Sequence, residues 1–504
     1  MTRSFLRGAL AALVALGLAG AASAQTTVRI ALAGDPDALD PTTARSLYGR
    51  IVFATLCDKL FDTDAQLNIV PQLATAYEWS DGDKTLTLRL REGVVFHDGE
   101  PLDAEAVKLS LERHLNLPTS QRRSEISVVQ AIEVIDPHTL RLRLSVPFAP
   151  LIAQFTDRAG MILSPRAIRE RGADFGSAPV CAGPFRFVER VPNSHLLVRR
   201  WEKFYVPGQP KVDEIRWVPV TEPATRIANI KTGTADISSE VQHWFLADLR
   251  ATPGITLHEP KASSAYAVIQ LKIAPPLDNK KVRQALAMLV DREALNRSVF
   301  YGVGTTAQGC NPFPIGHWAH ADVDCPKYDP EGAKKLLAEA GFPQGLELEW
   351  KVQNFAQPIK IAEICKETFK RGGVNLKLTQ LEFATWIQQV YRDKQFQIGQ
   401  TTFLREADPD GLVVSALFTG GQNNPGGYST KEMDTLLTQG RAELNVEKRK
   451  AIYKRISEIV ADEVPWIRIQ PNPFIWASTS KVGGFYINSQ SRPFVALREM
   501  TVQK

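Results

Sequence analysis

Two short stretches of the chain alternate strictly between polar and apolar residues. In TLTLRL (Thr85–Leu90) and TLRLRL (Thr139–Leu144), every second side chain is a leucine. Because successive side chains of a β-strand point to opposite faces, this alternation predicts two half-buried strands. Asp136-Pro137-His138 lies directly before the second stretch and predicts a turn there.

Longer segments show apolar residues three or four positions apart, which is typical of helices. In YDPEGAKKLLAEAGF, Asp329 is a candidate N-cap, Pro330 takes the first helical position and Gly341 follows the last turn. Alternating helices and strands favour an α/β class with an open sheet in the second half of the chain. The predicted helices are 102–114 (cap Asp103), 279–290, 292–300 (cap Asp291) and 359–371, and the strands that flank the last of them are 344–352 and 375–380.

The first 24 residues have a different composition from the rest. Arg3 and Arg7 precede an apolar run that is too short to span a bilayer, and Ala22-Ser23-Ala24 is a small-residue cleavage site. This pattern predicts a secretory signal peptide over residues 1–24, cleaved near Ala24. The protein is therefore expected to be exported and to work in the periplasm.

Length and charge limit the possible classes of protein. A chain of 504 residues is too long for one hydrophobic core, so we expect two or three domains. The net charge of +5 falls to +3 without Arg3 and Arg7, and acidic and basic residues alternate along the chain. This distribution gives no basic stripe for binding nucleic acid.

Five cysteines follow the predicted cleavage site, and an oxidising compartment favours disulfides between them. Cys310 and Cys325 flank a loop rich in proline, glycine and histidine and form the best candidate pair. Cys57 with Cys181 is a weaker candidate. Cys365 lies in a helical pattern and is expected to be a buried free thiol.

Motifs of known enzymes and metal sites are incomplete in this chain. The sequence has no G-x-S-x-G elbow, P-loop, G-x-G-x-x-G turn or H-E-x-x-H motif. Asp408 and Asp410 are too few oxygen ligands for a calcium loop. His317 and His320 lie between Cys310 and Cys325, but their spacing matches no standard zinc finger. His97-Asp98 lacks a neighbouring nucleophile, so a structural role in its turn is favoured.

Several longer motifs, taken together, resemble the family 5 extracellular solute-binding proteins, the dipeptide, oligopeptide and nickel receptors of ABC importers. The hallmark segment of that family resembles LATAYEWSDGDKTLTLRLREGVVFHDGEPLDAEAVKLSLERHL (73–115). The resemblance continues, in the order of the family, over most of residues 27–500. The further motifs are APVCAGPFRFVERV, VDEIRWVPVTEPATRIANIKTGTADI, LDNKKVRQALAMLVDREAL, YDPEGAKKLLAEAGF, EADPDG and GGYSTKEMDTLL.

The resemblance implies an α/β protein of two lobes that close on a solute bound between them. Domain I would comprise residues 25–270 and 472–504, with an inserted subdomain at about 77–180, and domain II would comprise 271–471. The protein would be a monomeric, non-enzymatic receptor without a cofactor. It would deliver a peptide or peptide-like solute to the permease subunits of an ABC importer in the inner membrane.

One departure from the family concerns the charged groups that hold the ligand. Peptide-binding members place an acidic residue, which holds the α-ammonium of the peptide, at the position of Arg405. Dipeptide-type members place an arginine at the position of Asn354. Arg405 would instead suit a carboxylate or phosphate, so an anionic solute is expected.

Further candidates for ligand contact come from the same resemblance. Asp408 accepts hydrogen bonds from the ligand or caps the next helix. Trp386, in FATWIQQV, lines the pocket or fills a helix core. Tyr48 and Arg45 lie in an early loop that reaches the cleft in relatives, and Trp244 would line the side of domain I. Two alternatives stay open: uptake of a metal chelate of the nickel type, and an exported hydrolase that uses Asp408, Glu406 and His97.

Overall fold

Three β-sheets organise the chain in a computed structural model that describes residues 25–260, 265–303, 309–404, 407–471, 473–488 and 496–503. The predicted signal peptide therefore lies outside the described residues. The strands are β1 (Thr27–Leu32), β2 (Phe61–Thr63), β3 (Ile69–Pro71), β4 (Ala74–Ser80), β5 (Thr85–Leu90), β6 (Val129–Asp136), β7 (Thr139–Leu144), β8 (Phe185–Val191), β9 (His195–Arg200), β10 (Glu214–Pro219), β11 (Ile237–Val241), β12 (Ile255–His258), β13 (Ala265–Leu271), β14 (Leu346–Gln353), β15 (Val374–Leu381), β16 (Ile398–Leu404), β17 (Trp466–Pro471), β18 (Ile475–Thr479), β19 (Val482–Gly483) and β20 (Thr501–Val502).

Each large sheet has its own hydrophobic core. The first sheet has seven strands in the order β12-β18-β11-β1-β10-β9-β8, the second has five in the order β15-β14-β16-β13-β17, and the third has four in the order β4-β5-β7-β6. Trp217 is buried in the core of the first sheet, Trp350 in that of the second and Leu88 in that of the third. The first and second sheets are the centres of the two lobes.

The alternating stretches form the two central strands of the third sheet, as predicted. Leu86 pairs with Leu142 and Leu88 with Leu140 in an antiparallel register. All four leucines are fully buried, because the alternation turns each of them to the same face.

Three predicted N-caps are confirmed. The carboxylates of Asp103, Asp291 and Asp329 each accept a hydrogen bond of 2.9 Å from the backbone N–H three residues later. The helices are Leu47–Leu56, Ala104–Asn116, Arg123–Ile126, Leu151–Gln154, Pro165–Arg171, Pro223–Lys231, Leu246–Arg250, Lys280–Met288, Arg292–Ser298, Pro330–Glu339, Ala356–Arg371, Phe383–Ile387, Ser415–Leu417, Lys431–Ala442, Val446–Glu463 and Ala496–Glu499. None of the helices described here is both long and apolar enough to cross a membrane.

The chain returns to the first sheet near its end. Strand β18 lies between β11 and β12 and is antiparallel to both. Trp476, on this strand, packs in the core of the first sheet. This pairing fits a discontinuous first domain, whose bounds stay a prediction.

Two disulfides join cysteines in pairs that the sequence suggested. Cys310 pairs with Cys325, with Cα atoms 5.4 Å apart, and Cys57 pairs with Cys181, with Cα atoms 4.9 Å apart. Cys365 is a buried free thiol, and its burial raises the pKa of the thiol to about 12. At that pKa the group stays protonated and unreactive at neutral pH.

Candidate functional site

The carboxyl edge of the second sheet brings three of its loops together. Strand β14 is parallel to both β15 and β16, so the three strands end at the same edge. Asn354 comes directly after β14, Phe383 is the second residue after β15, and Arg405 comes directly after β16. Ligands of open α/β sheets bind outside the carboxyl ends of the strands, so this edge is one wall of the candidate site.

Exposed aromatic rings lie at this edge. Phe355 and Phe383 are 52% and 45% exposed, and their ring centroids are 5.7 Å apart. Asn354 beside them is exposed, and its backbone N–H donates to the carbonyl of Leu381 at 2.8 Å. Sequence reasoning selected Asn354 but missed both phenylalanines. The available signal was a large apolar residue placed in the loop after each strand.

Trp386 lies beneath these rings rather than among them. Its side chain is 1% exposed, its Nε1–H donates to the carbonyl of Lys351 at 3.0 Å, and its ring stacks on Phe383 with centroids 6.4 Å apart. Trp386 therefore supports the Phe383 ring, and direct contact with a solute stays a prediction.

Arg405 and Glu406 lie outside the described residues, but Asp408 close by is well defined. Asp408 is buried, and its carboxylate accepts bonds of 2.7 and 2.9 Å from the two terminal nitrogens of Arg449. Oδ1 of Asp408 also accepts the backbone N–H of Asp410 at 3.0 Å. This bidentate pair ties the segment after Arg405 to the helix Val446–Glu463.

The carboxyl edge of the first sheet carries the other predicted residues. Strand β1 is parallel to β10 and to β11, so these strands also end together. Tyr48 packs against Gly34, just after β1, where an added Cβ would lie 2.2 Å from the tyrosine ring. Only glycine leaves room for Tyr48 to reach this edge.

Glu240, near the end of β11, is an unusual residue at this edge. Its backbone is left-handed, with φ +49°, and Oε1 is buried with no hydrogen-bond partner among the residues described. Burial raises the pKa of Glu240 to about 7, against the opposing charge of Arg226. Burial and the charge of Glu240 together raise the pKa of Tyr48 to about 12. Sequence reasoning missed Glu240, because nothing local distinguishes it from a surface glutamate.

Arg45 and Trp244 are accessible at the same edge. The side chain of Arg45 is exposed, and its backbone N–H donates to Oδ2 of Asp37 at 2.6 Å. Trp244 is 41% exposed, with its ring 6.0 Å from that of Phe245. Both residues are free to contact a solute, and that contact stays a prediction.

The two edges adjoin because both crossings of the chain run between them. Strand β12 ends at the edge of the first sheet and leads into β13, whose first residue pairs with the end of β16. Strand β17 ends at the edge of the second sheet and leads into β18. His243 also joins the lobes, with Nε2 3.3 Å from the carbonyl of Pro473 and its ring 6.0 Å from Phe300. We call the space between the two edges the cleft.

A cavity of about 310 Å³ lies between residues 407–415 of the second lobe and a wall formed by Arg50, on the helix Leu47–Leu56, and residues 153–157. Arg50 and Asp157 form an ion pair on one wall. On the other wall, Nε of Arg441 lies 2.6 Å from Oδ1 of Asp410. Burial raises the pKa of Asp410 to about 6, although Arg441 opposes this shift. Each carboxylate of these pairs is matched by a guanidinium, so the pairs leave the walls nearly neutral.

The histidines that the sequence offered for catalysis or metal binding contact other groups of the fold. Nε2 of His97 lies 3.0 Å from the carbonyl of Gly183, and Nδ1 accepts the N–H of Cys181 at 3.4 Å. Nδ1 of His320 lies 2.9 Å from the carbonyl oxygen of Phe313, and the ring of His317 stacks on the Phe313 ring. Within the described ranges, no group of three or more His, Cys, Asp or Glu side chains could hold a metal ion.

Comparisons with known proteins agree with this architecture. The family model described as "Bacterial extracellular solute-binding proteins, family 5 Middle" matches residues 68–425. The glutathione-binding protein GsiB of Salmonella paratyphi A is 30% identical over 495 residues, which are 94% of this chain and 96% of that protein.

Solved structures share the fold over almost the whole chain. The binding protein AgaA from A. tumefacien R10, in complex with agropinic acid, has a TM-score of 0.79 and 26% identity over 95% of this chain and 99% of its own. The periplasmic binding protein DppA from Helicobacter pylori, in complex with the peptide STSA, has a TM-score of 0.80 and 20% identity over 95% and 98%. The predicted two-lobe α/β fold is confirmed.

Proposed function

The chain belongs to the bacterial extracellular solute-binding proteins of family 5, and on this premise we propose that it captures a small anionic peptide or peptide-like solute in the cleft. The predicted general function, solute binding for an ABC importer, is confirmed by this membership. The family is one of receptors, and we propose that this chain likewise binds its solute without covalent chemistry.

The observation that carries the proposal is the cleft itself. The carboxyl edges of two separate sheets adjoin at both crossings of the chain, and exposed aromatic rings lie on one of them. A solute held between such edges is desolvated by both lobes when they close, and it stabilises the closed state because only that state offers both sets of contacts.

The solute class rests on Arg405 and on the relatives. A guanidinium directly after β16 suits a carboxylate, which it can bind through two parallel hydrogen bonds. GsiB is described as a glutathione-binding protein and the structure of AgaA is a complex with agropinic acid, and both compounds carry carboxylates. We therefore infer that Arg405 is the main anchor for an anionic group, with Asn354, Tyr48, Arg45 and Trp244 as further contacts.

The cellular location of the protein and its partner are proposed from the same family membership. We propose that residues 1–24 direct export to the periplasm and are cleaved near Ala24. The mature monomer would then dock, in its closed state, on the permease subunits of an ABC importer. DppA from Helicobacter pylori is described as an ABC transporter-associated periplasmic binding protein, which supports this assignment.

Replacing Arg405 by aspartate tests the solute class. Titration calorimetry of residues 25–504 with glutathione, and with acidic and neutral dipeptides, should give the highest affinity for an acidic compound. Arg405→Asp should lower that affinity by a factor of about 10 to 100, because a charged hydrogen bond contributes roughly 1.5–3 kcal/mol.

A matched control is Arg169→Asp, since Arg169 lies on the exposed surface of the helix Pro165–Arg171 and is expected to leave affinity unchanged. Equal affinity of the wild type and Arg405→Asp for the acidic compound would show that Arg405 is not the anchor. Release of a hydrolysis product during the titration would contradict the receptor function.

A further inference from the structure

Glu240 has features that a purely structural glutamate would not need. Oε1 is shielded from solvent and has no hydrogen-bond partner in the described part of the chain. A buried polar atom without a partner costs free energy, and so does a left-handed backbone at a residue other than glycine. Costs of this kind cluster at sites that bind ligands, where the missing partner is supplied by the ligand.

The charged groups near Glu240 do not supply this partner. Arg226 is buried, but its terminal nitrogens donate to the carbonyl oxygens of Val220 at 2.7 Å, Thr221 at 2.9 Å and Glu240 itself at 3.3 Å. The arginine therefore holds the backbone of Glu240 rather than its carboxylate. Glu222 is exposed and caps the helix Pro223–Lys231.

Glu240 lies where a solute in the cleft would contact the first lobe. Glu240 lies next to the last residue of β11, at the edge of the first sheet that faces the cleft. Tyr48 reaches the same edge of the first sheet, where its ring packs against Gly34. A carboxylate and an aromatic ring are both groups that attract an ammonium group.

We infer that Glu240, at the edge of the first sheet, binds a positively charged ammonium group of the solute. This inference rests on the proposed function, and it specifies the solute further as a zwitterion. An ammonium group held by Glu240 would fix the direction of the solute in the cleft.

Calorimetry of two proteins with two compounds tests this assignment. The proteins are the wild type and Glu240→Gln, and the probes are glutathione and glutathione with its amino group acetylated. The wild type should bind free glutathione at least tenfold more tightly than the acetylated form. Glu240→Gln should lose at least tenfold in affinity for free glutathione and bind the two forms alike. The control Glu222→Gln should behave as the wild type.

Thermal unfolding without solute shows whether Glu240 has a structural role. Glu240→Gln should be at least as stable as the wild type, because it removes a charge whose shielded Oε1 has no hydrogen-bond partner among the described residues. A marked loss of stability would make Glu240 a structural residue and overturn the inference. Unchanged discrimination between the two forms in Glu240→Gln would overturn it while leaving the proposed function standing. If the wild type binds neither form, the same comparison is made with an acidic dipeptide and its N-acetylated form. Failure of the wild type to bind any of these compounds would contradict the proposed solute class, and the ammonium assignment with it.

Discussion

At the scale of single residues, His114 shows how burial sets a charge state in this protein. The side chain is fully buried, with Nδ1 3.0 Å from the hydroxyl of Thr42 and Nε2 3.2 Å from the carbonyl of Met161. Burial lowers the pKa of His114 to about 4, although its hydrogen bond to Met161 and the nearby Asp40 oppose the shift. The imidazole is therefore neutral in the folded protein at physiological pH.

Substituting this residue should change how stability depends on pH. Below pH 6.5 the unfolded chain binds a proton at His114 that the folded protein does not, so stability falls as the pH drops toward 4. His114→Gln should remove about 2 kcal/mol of the loss between pH 7.5 and pH 5, since pH 5 lies about 1.5 units below the unfolded pKa and one pKa unit corresponds to about 1.4 kcal/mol. Urea unfolding at pH 7.5 and pH 5 measures the difference. Parallel pH profiles for the wild type and the variant would contradict the assignment.

At the scale of elements, local chemistry predicted capped helix starts better than the other helix boundaries. Asp103, Asp291 and Asp329 cap their helices as expected, because a cap involves only residues three positions apart. The helix 359–371 begins instead at Ala356, and the predicted helix 279–290 ends at Met288. Helix ends depend on packing and fraying, which the local pattern does not report.

The two disulfides should stabilise the fold unequally. The Cys57–Cys181 bond closes a segment of 124 residues and the Cys310–Cys325 bond one of 15. In the chain-entropy model, these loops correspond to roughly 4.8 and 3 kcal/mol. Urea unfolding of the two double variants to alanine should therefore show a larger loss for Cys57→Ala/Cys181→Ala. An equal or reversed order would show that native-state strain or packing outweighs loop entropy.

At the scale of the whole molecule, Arg441 links the second lobe to residues packed near the third sheet. Its carbonyl accepts the N–H of Ala149 at 2.8 Å, and its guanidinium lies 5.1 Å from the centre of the Phe148 ring. The same guanidinium pairs with buried Asp410. One side chain therefore both balances a buried charge and contacts another part of the molecule.

Removing this guanidinium should weaken the molecule in a pH-dependent way. Arg441→Met leaves the buried Asp410 carboxylate without this partner, which should cost about 2–3 kcal/mol, less than for a fully buried pair because the Arg441 side chain is 38% exposed. The pKa of Asp410 is already raised to about 6, so lowering the pH from 8 to 5 protonates the group and should relieve much of the loss. Urea unfolding at both pH values tests this, with Asp410→Asn/Arg441→Met as the matched control. A loss that does not change with pH would contradict it.

The sequence by itself determined the central strands of the third sheet, three helix caps and the family, while ligand contact by Tyr48, Asn354 and Trp244 stays a prediction. The determined features follow from patterns within a few residues or from motifs in a fixed order. Only the tertiary structure decided that Trp386 lies under Phe383, that Phe355 and Phe383 are exposed and that Oε1 of Glu240 is buried without a partner among the described residues. Burial and the meeting of two sheet edges depend on contacts between residues far apart in the chain, and no local pattern records them.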